Sequence, residues 1–265
     1  MDLSRVRGSG PEGRVLRRDV EAAHDGGAAA PEAPPRPAAV ASAPLSRMRQ
    51  TIARRMAQSK REAPHYYLTL DIDMTEAVRF RAQVNAALGE SGKVSINDLL
   101  ILAATRALGR HPRFNSWWVE DQLQLHGQIN IGVAIALEEG LIAPAILDCG
   151  AKALSQIARE SRDLAERARG GFLRPEEYAS ATFTITNLGA YGVDALIGII
   201  NPPQTAILGV GAVRERAVVR EGQVAVRSIM TVALSADHRA TDGAEGARFL
   251  QTLREYLEAP ALMLL

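Results

Sequence analysis

An alternating apolar run, Ile229 to Leu234, passes straight into Ser235-Ala236-Asp237-His238-Arg239-Ala240-Thr241-Asp242-Gly243, and then into a helical run from about Ala244 to Leu257. A strand that yields to a helix within nine residues, with a histidine on the connector, narrows the choice to folds with helices packed on a sheet. The plainest reading of the connector is a turn, with Asp242 capping the following helix and Gly243 as a turn residue. The other reading is chemical, because a histidine presented between strand and helix is placed to meet a ligand.

The chain before this point supplies the rest of such a sheet. Tyr66, Leu68, Leu70, Ile72 and Met74 alternate with polar residues, which predicts a strand. Ile129, Ile131, Val133, Ile135 and Leu137 alternate with small residues, which predicts a second strand packed closely on both faces. Glu139-Gly140 turns that run into Leu141 to Ile146. Residues 181–186 and Thr205 to Val213 predict two more strands, and Glu221-Gly222 a hairpin before the last. Helices are expected from a Ser46 cap, with a Met48, Ile52, Met56 stripe ending at Pro64; from Thr75 through Leu88; from a Ser95–Asp98 capping box; and over 154–168, closed by Gly170-Gly171. Strands and helices do not alternate strictly, so the expected fold class is α/β, a mixed-sheet sandwich rather than a doubly wound parallel sheet.

Composition divides the chain in three. Residues 1–23 are basic and glycine-punctuated, and too small alone to hold a core. From His24 to Ala43 the sequence is Ala, Pro and Gly, a linker composition that cannot offset its ordering entropy. Residues 44–265 form the main domain. A net charge of +1 gives no electrostatic case for nucleic acid. No apolar run reaches the roughly 18 residues a membrane helix needs, so no membrane partner is expected and the reading is an intracellular protein. Cys149 is the only cysteine, which excludes an intrachain disulfide and a cysteine metal cluster. His24, His65, His111 and His126 lack metal-ligand spacing, so no metal is expected. Gly209-Val-Gly211 lacks the third glycine and the strand-to-helix context of a dinucleotide loop.

Asp237-His-Arg-x-x-Asp-Gly243, followed by Ala-Glu-Gly-Ala-Arg-Phe-Leu, resembles the active-site signature of the dihydrolipoyl acyltransferases. These are the core components of the 2-oxo acid dehydrogenase complexes, related in fold to chloramphenicol acetyltransferase. The resemblance spans about residues 45–265 and is also carried by Pro64-His-Tyr-Tyr-Leu-Thr, Ser95-Ile-Asn-Asp-Leu-Leu, Gly140-Leu-Ile-Ala-Pro, Thr182-Phe-Thr-Ile-Thr-Asn-Leu-Gly189 and Ile200-Asn-Pro-Pro-Gln-Thr-Ala-Ile-Leu-Gly209. His-Tyr-Tyr and Asn-Pro-Pro lean towards the acetyl-transferring, pyruvate dehydrogenase branch; Ser-Ala-Asp-His-Arg leans towards the branched-chain branch. Gly8 to Val20 resembles the second half of the peripheral subunit-binding domain, so 1–23 is expected to be a partial copy of it. Neither its first helix nor a lipoyl domain is read in these residues, so the expectation is a truncated or shortened chain or an unusual natural variant.

The resemblance implies transfer of an acyl group, acetyl favoured, between a dihydrolipoyl thiol and coenzyme A, with the lipoyl group supplied by a domain absent from this chain. His238 would take the thiol proton, its ring held by its own backbone carbonyl, and Thr186 would stand where the family more often has a serine facing the oxyanion. Asp242 would be architectural, paired with Arg54 or Arg55, or else the helix cap; Asp237 and Arg239 would support the turn. Asn187 has a turn reading before Gly189, and His65 a packing one. The partners implied are the lipoyl domain, the 2-oxo acid decarboxylase and dihydrolipoyl dehydrogenase. The assembly implied is a homotrimer, extended to a cubic or icosahedral core through Ala261 to Leu265, in the cytoplasm or the mitochondrial matrix of a eukaryote. A non-catalytic core subunit and a small-molecule acetyltransferase are the alternatives.

Overall fold

The computed structural model describes residues 3–25, 43–89, 92–137 and 140–265, so Glu139 of the expected Glu139-Gly140 turn and most of the 24–43 linker lie outside the described residues. The chain divides into two compact units, Met1–Pro44 and Leu45–Leu265. In the first, two short turns precede α1, Arg17–Asp25. The Asp19 carboxylate accepts from the Ser9 amide and hydroxyl and from the Leu16 amide. Those donors favour the ionised form and hold its pKa down at about 2. Residues expected to be too few for a fold therefore carry a local hydrogen-bonded knot.

In the second unit α2, Arg47–Glu62, leads into β1, His65–Asp73, and then α3, Thr75–Leu88, and α4, Ile96–Arg110. A hairpin follows, β2 (Ser116–Val119) and β3 (Gln122–Leu125), then β4 (Ile131–Val133), β5 (Ile135–Leu137), β6 (Gly140–Ile142) and β7 (Ala145–Ile146). Next come α5 (Leu154–Gly170), α6 (Pro175–Ala179), β8 (Phe183–Asn187), β9 (Ala206–Val210), β10 (Arg214–Arg220), β11 (Gln223–Asp237) and α7 (Gly243–Glu258). The main sheet has the order β1-β11-β9-β8-β4-β7, with β10 also paired to β11. β8 runs parallel to β4 and β9, while the other pairings are antiparallel, so the sheet is mixed as expected.

The helices start where the side chains can cap them. Ser46 accepts from the Arg49 amide, and Ser95 with Asp98 forms the anticipated reciprocal box. The buried face of α4, with Leu99, Leu100, Ile101 and Leu102 sealed from solvent, packs with α3, α5 and α7 on one face of the sheet. Each such leucine contributes about 2 kcal/mol by burial. The other face carries α2 and the segment from Asp194 to Ile200.

Three expectations change. The run 129–137 is not one strand: Val133 donates to Pro144 O and Ala134 to Ile185 O, after which β5 leaves the main sheet to pair only with β6. Pro144 has no amide to give, so the hairpin ladder breaks there. At the other end β11 runs on through Asp237, and the connector shrinks to His238–Asp242. The C-terminal residues are not all outward either. Met263 is sealed in the chain's own core with its carbonyl held by Arg106, while Leu264 and Leu265 stay exposed.

Gly209 shows how the crossing segment sits. A Cβ there would come within 1.8 Å of Leu196 O, and one at Gly211 within 2.0 Å of Asp194 O. These glycines let one backbone lie against another, which accounts for the Gly-Val-Gly motif. Gly209→Ala is expected to cost about 3 kcal/mol or more, read as a lowered urea midpoint. An unchanged midpoint would show that the segment is loosely laid.

Candidate active site

The connector is built around Asp237. Its amide donates to Thr205 O at 2.8 Å, and its carbonyl accepts from the Ala240 and Thr241 amides. Its carboxylate, 1% exposed, accepts from the Arg239 amide at 2.9 Å and from the guanidinium through Nε to Oδ1 at 3.0 Å and Nη2 to Oδ2 at 2.7 Å. A charge this deep is tolerated because its oxygens are bidentately paired. The same bonds hold Arg239 firmly charged, its pKa raised chiefly by Asp237. The Arg239 guanidinium also lies 4.6 Å from the centre of the Trp118 ring.

His238 is therefore fixed by its neighbours. Its amide donates to Pro64 O at 2.9 Å, and Arg113 Nε donates to Ala240 O at 3.0 Å across the turn. The imidazole is exposed and meets the Tyr66 ring edge-on, centroids 5.1 Å apart. Tyr66 is anchored by its hydroxyl, 2.9 Å from Thr241 Oγ1. Among the described residues no hydrogen bond from another residue reaches the His238 ring.

Asp242 caps α7, accepting from the Glu245 amide at 2.8 Å while Glu245 accepts from the Asp242 amide at 3.0 Å. The Glu245 amide is the main cause of its lowered pKa. Within the chain the anticipated pairing with Arg54 or Arg55 is not formed. The physical reason is the sheet itself. Tyr66 and Leu68 of β1 face α7, where Gly246 rests against both, whereas His65 and Tyr67 point the other way, to Ile200 and to Lys60 of α2.

Thr182, Thr184 and Thr186 share one side of the same strand region. The Thr182 hydroxyl donates to Asn115 Oδ1 and the Thr184 hydroxyl to Gln204 Oε1. Thr186 is half-buried, and its hydroxyl has no partner among the described residues. It opens onto a cavity of about 640 Å³ between α2 and the 196–199 segment, walled by Ile52, Met56, Leu141 and Ile197. Asn187 Oδ1 accepts from the Gly189 amide, the expected turn.

Thr186 and His238 are not brought together within one chain. Thr186 stands beside Gly209, and Gly209 beside Ala233, five residues before His238. Five residues along a strand and two strand spacings across put them about 19 Å apart.

The remaining candidates are structural. His65 Nδ1 donates to Ala63 O and its Nε2 accepts from the Ile200 amide; His111 meets Thr252. No group of three His, Cys, Asp or Glu could hold a metal among the described residues. Burial pushes the Cys149 thiol up to about 11, unsuited to a nucleophile. What sequence reasoning missed is a second cavity, about 390 Å³, beside the His238 turn, lined by Asp237, Arg239, Trp118 and Gln204. Its only signal was Gln204 within the Asn-Pro-Pro-Gln motif.

Residues 37–265 match the family described as 2-oxoacid dehydrogenases acyltransferase (catalytic domain), and residues 1–21 the e3 binding domain. The chain is 39% identical, over 99% of its own length, to the dihydrolipoyllysine-residue acetyltransferase component of pyruvate dehydrogenase complex of Rickettsia bellii, and spans 64% of that relative. The dihydrolipoamide acetyltransferase structure from Azotobacter vinelandii superposes with a TM-score of 0.82 at 32% identity, covering 89% of this chain and 100% of that one. That study concerned a serine, a histidine and an asparagine in catalysis, spaced 52 and four residues apart. The cubic core of the pyruvate dehydrogenase multienzyme complex gives the same TM-score, identity and coverage. Asp237→Ala, which strips Arg239 of its partner, is expected to cost about 3 kcal/mol in urea unfolding. Wild-type stability would show that the turn does not rest on this carboxylate.

Proposed function

The chain belongs to the 2-oxoacid dehydrogenase acyltransferase family, and we propose that it transfers an acetyl group between the dihydrolipoyl thiol and coenzyme A. The observation that carries this is spacing. His238 follows Thr186 by 52 residues and precedes Asp242 by four, the same intervals as the serine, histidine and asparagine of the Azotobacter vinelandii enzyme. The free Thr186 hydroxyl and the unbonded His238 ring support a catalytic part for both, rather than a core subunit without turnover.

The chemistry needs a base and an oxyanion donor. The thiol of coenzyme A attacks as thiolate, and a neutral His238 takes its proton. Attack on the acyl-dihydrolipoyl carbonyl gives a tetrahedral intermediate whose oxygen accepts from Thr186. Collapse breaks the bond to the dihydrolipoyl sulfur, which recovers the proton from His238. Because the two residues lie about 19 Å apart in one chain, the histidine of one copy would work with the hydroxyl of the next. A cyclic trimer provides that arrangement by repeating one contact around a ring. Asp242 stands where the relative has asparagine; as cap of α7 it sets the end of the His238 turn.

The same reading assigns residues 1–23 to a partial subunit-binding domain, 24–43 to a tether and 44–265 to the catalytic domain. Its partners would be the lipoyl domain, the 2-oxo acid decarboxylase and dihydrolipoyl dehydrogenase, in the cytoplasm or the mitochondrial matrix. Leu264 and Leu265, exposed beyond the anchored Met263, are the surface offered to a larger cubic or icosahedral core. No helix among the described residues is long and apolar enough to cross a membrane.

Formation of acetyl-coenzyme A from acetyl-dihydrolipoamide and coenzyme A tests the assignment. His238→Ala is expected to lower turnover by about 10²-fold or more in a folded protein. Thr186→Ala should lower kcat by about 10²-fold, and Thr186→Ser should leave it near wild type. Near-normal rates in folded His238→Ala would sink the base, and an inactive Thr186→Ser would make that position a packing requirement.

A further inference from the structure

The backbone of the His238 turn is held by Asp237, but the turn alone does not aim the imidazole. The ring is exposed and takes no hydrogen bond from another residue among those described. An exposed histidine has several staggered χ1 wells and a broad χ2. Proton transfer from a thiol needs the one orientation that brings a ring nitrogen within reach. The ring that meets the imidazole belongs to Tyr66 of β1, which stands directly opposite Ala236, two residues before the histidine. The centroids are 5.1 Å apart and the planes are inclined at 64°, an edge-to-face contact. Such contacts have a direction, because the positive edge of one ring is drawn to the negative face of the other.

Tyr66 is itself firmly placed. Its backbone lies in the β1–β11 ladder, its hydroxyl is 2.9 Å from Thr241 Oγ1, and its ring rests on α7 at Gly246. A Cβ at Gly246 would stand 2.9 Å from the Tyr66 hydroxyl oxygen and 3.1 Å from Cε2, so the glycine keeps that seat open. Thr241 is buried, and its amide donates to Asp237 O. The hydroxyl of Tyr66 is therefore tied to the same turn that carries His238. Tyr67, the next residue, points to the other face of the sheet and meets Lys60. Of the two adjacent tyrosines it is Tyr66 that reaches the turn.

We infer that Tyr66 is a positioning residue of the acyl transfer: its ring, seated on Gly246 and tied to Thr241, holds the His238 imidazole in the orientation that takes the thiol proton. Tyr66 carries no proton in this role and acts through His238 alone. The inference rests on the proposed assignment of His238 as the base. It adds a residue from the opposite end of the chain's main domain to the set that shapes the reaction, and it gives Gly246 a part in the site.

Steady-state formation of acetyl-coenzyme A by the assembled protein tests it, with the two substrates varied separately. Tyr66→Leu removes the aromatic contact and is expected to lower kcat about tenfold, with KM for coenzyme A and for acetyl-dihydrolipoamide unchanged. Tyr66→Phe keeps the ring but loses the tie to Thr241, and should lower kcat about threefold. In a His238→Ala background neither substitution should lower the residual rate further, because a residue that acts through the histidine then has nothing to act on. A wild-type kcat in folded Tyr66→Leu, a rise in either KM, or an equal loss in the His238→Ala background would overturn the inference. Should Tyr66→Leu fail to assemble, Tyr66→Phe decides: a wild-type kcat, or a loss that persists without the histidine, defeats the role. A near-normal rate in His238→Ala would defeat the base and the positioning together. A disabled His238→Ala beside an unaffected Tyr66→Leu would defeat the positioning and leave the base standing.

Discussion

The Asp237 carboxylate, buried at the end of β11 and clasped by Arg239, is the interaction on which the functional end of this protein depends. Its three kinds of bond tie together the end of the central strand, the backbone of the turn and the ring of Trp118. His238 makes few contacts of its own. It is held because the residues before and after it are, and its ring makes no hydrogen bond to another residue among those described. A reactive side chain on a rigidly bonded turn avoids the ordering cost that a mobile loop would incur during each reaction cycle.

Sheet register then decides what one chain is able to do alone. β8 and β11 are separated only by β9, but Thr186 lies level with Ala233, well short of the strand end where His238 begins. No side-chain rotation closes a gap of about 19 Å. Two of the cavities among the described residues follow the same division, one lined by Thr186 and one by the residues flanking His238, with arginines in the first and carboxylates in the second. On the proposed function, assembly is part of the chemistry, since a second copy would deliver the missing half.

The elements that read clearly in the sequence are those whose cause is local. Period-two alternation marked β1 and the core of β11, and the Ser95–Asp98 box marked the start of α4 because both bonds lie within one turn. What could not be read depends on partners distant in sequence. The break after Val133 needs Pro144 opposite it, and the Gly209–Gly211 pair needs the Asp194–Leu196 backbone laid across it. Asp242 shows both sides: its cap is local and was legible, while its pairing with Arg54 or Arg55 would have to cross the sheet. Gln204 was visible only as a letter in a motif, because its significance comes from Thr184 occupying one end of its amide.

On the proposed function, the histidine and the hydroxyl of one working site come from different copies of the chain. Co-assembly of His238→Ala and Thr186→Ala chains, each nearly inactive alone, measures this directly. In a ring where each site takes one group from each of two neighbours, random mixing restores about a quarter of the sites, and acetyl-transfer activity should rise to about that fraction of wild type. Mixed assemblies no more active than their parents would contradict the claim and place both groups in a single chain.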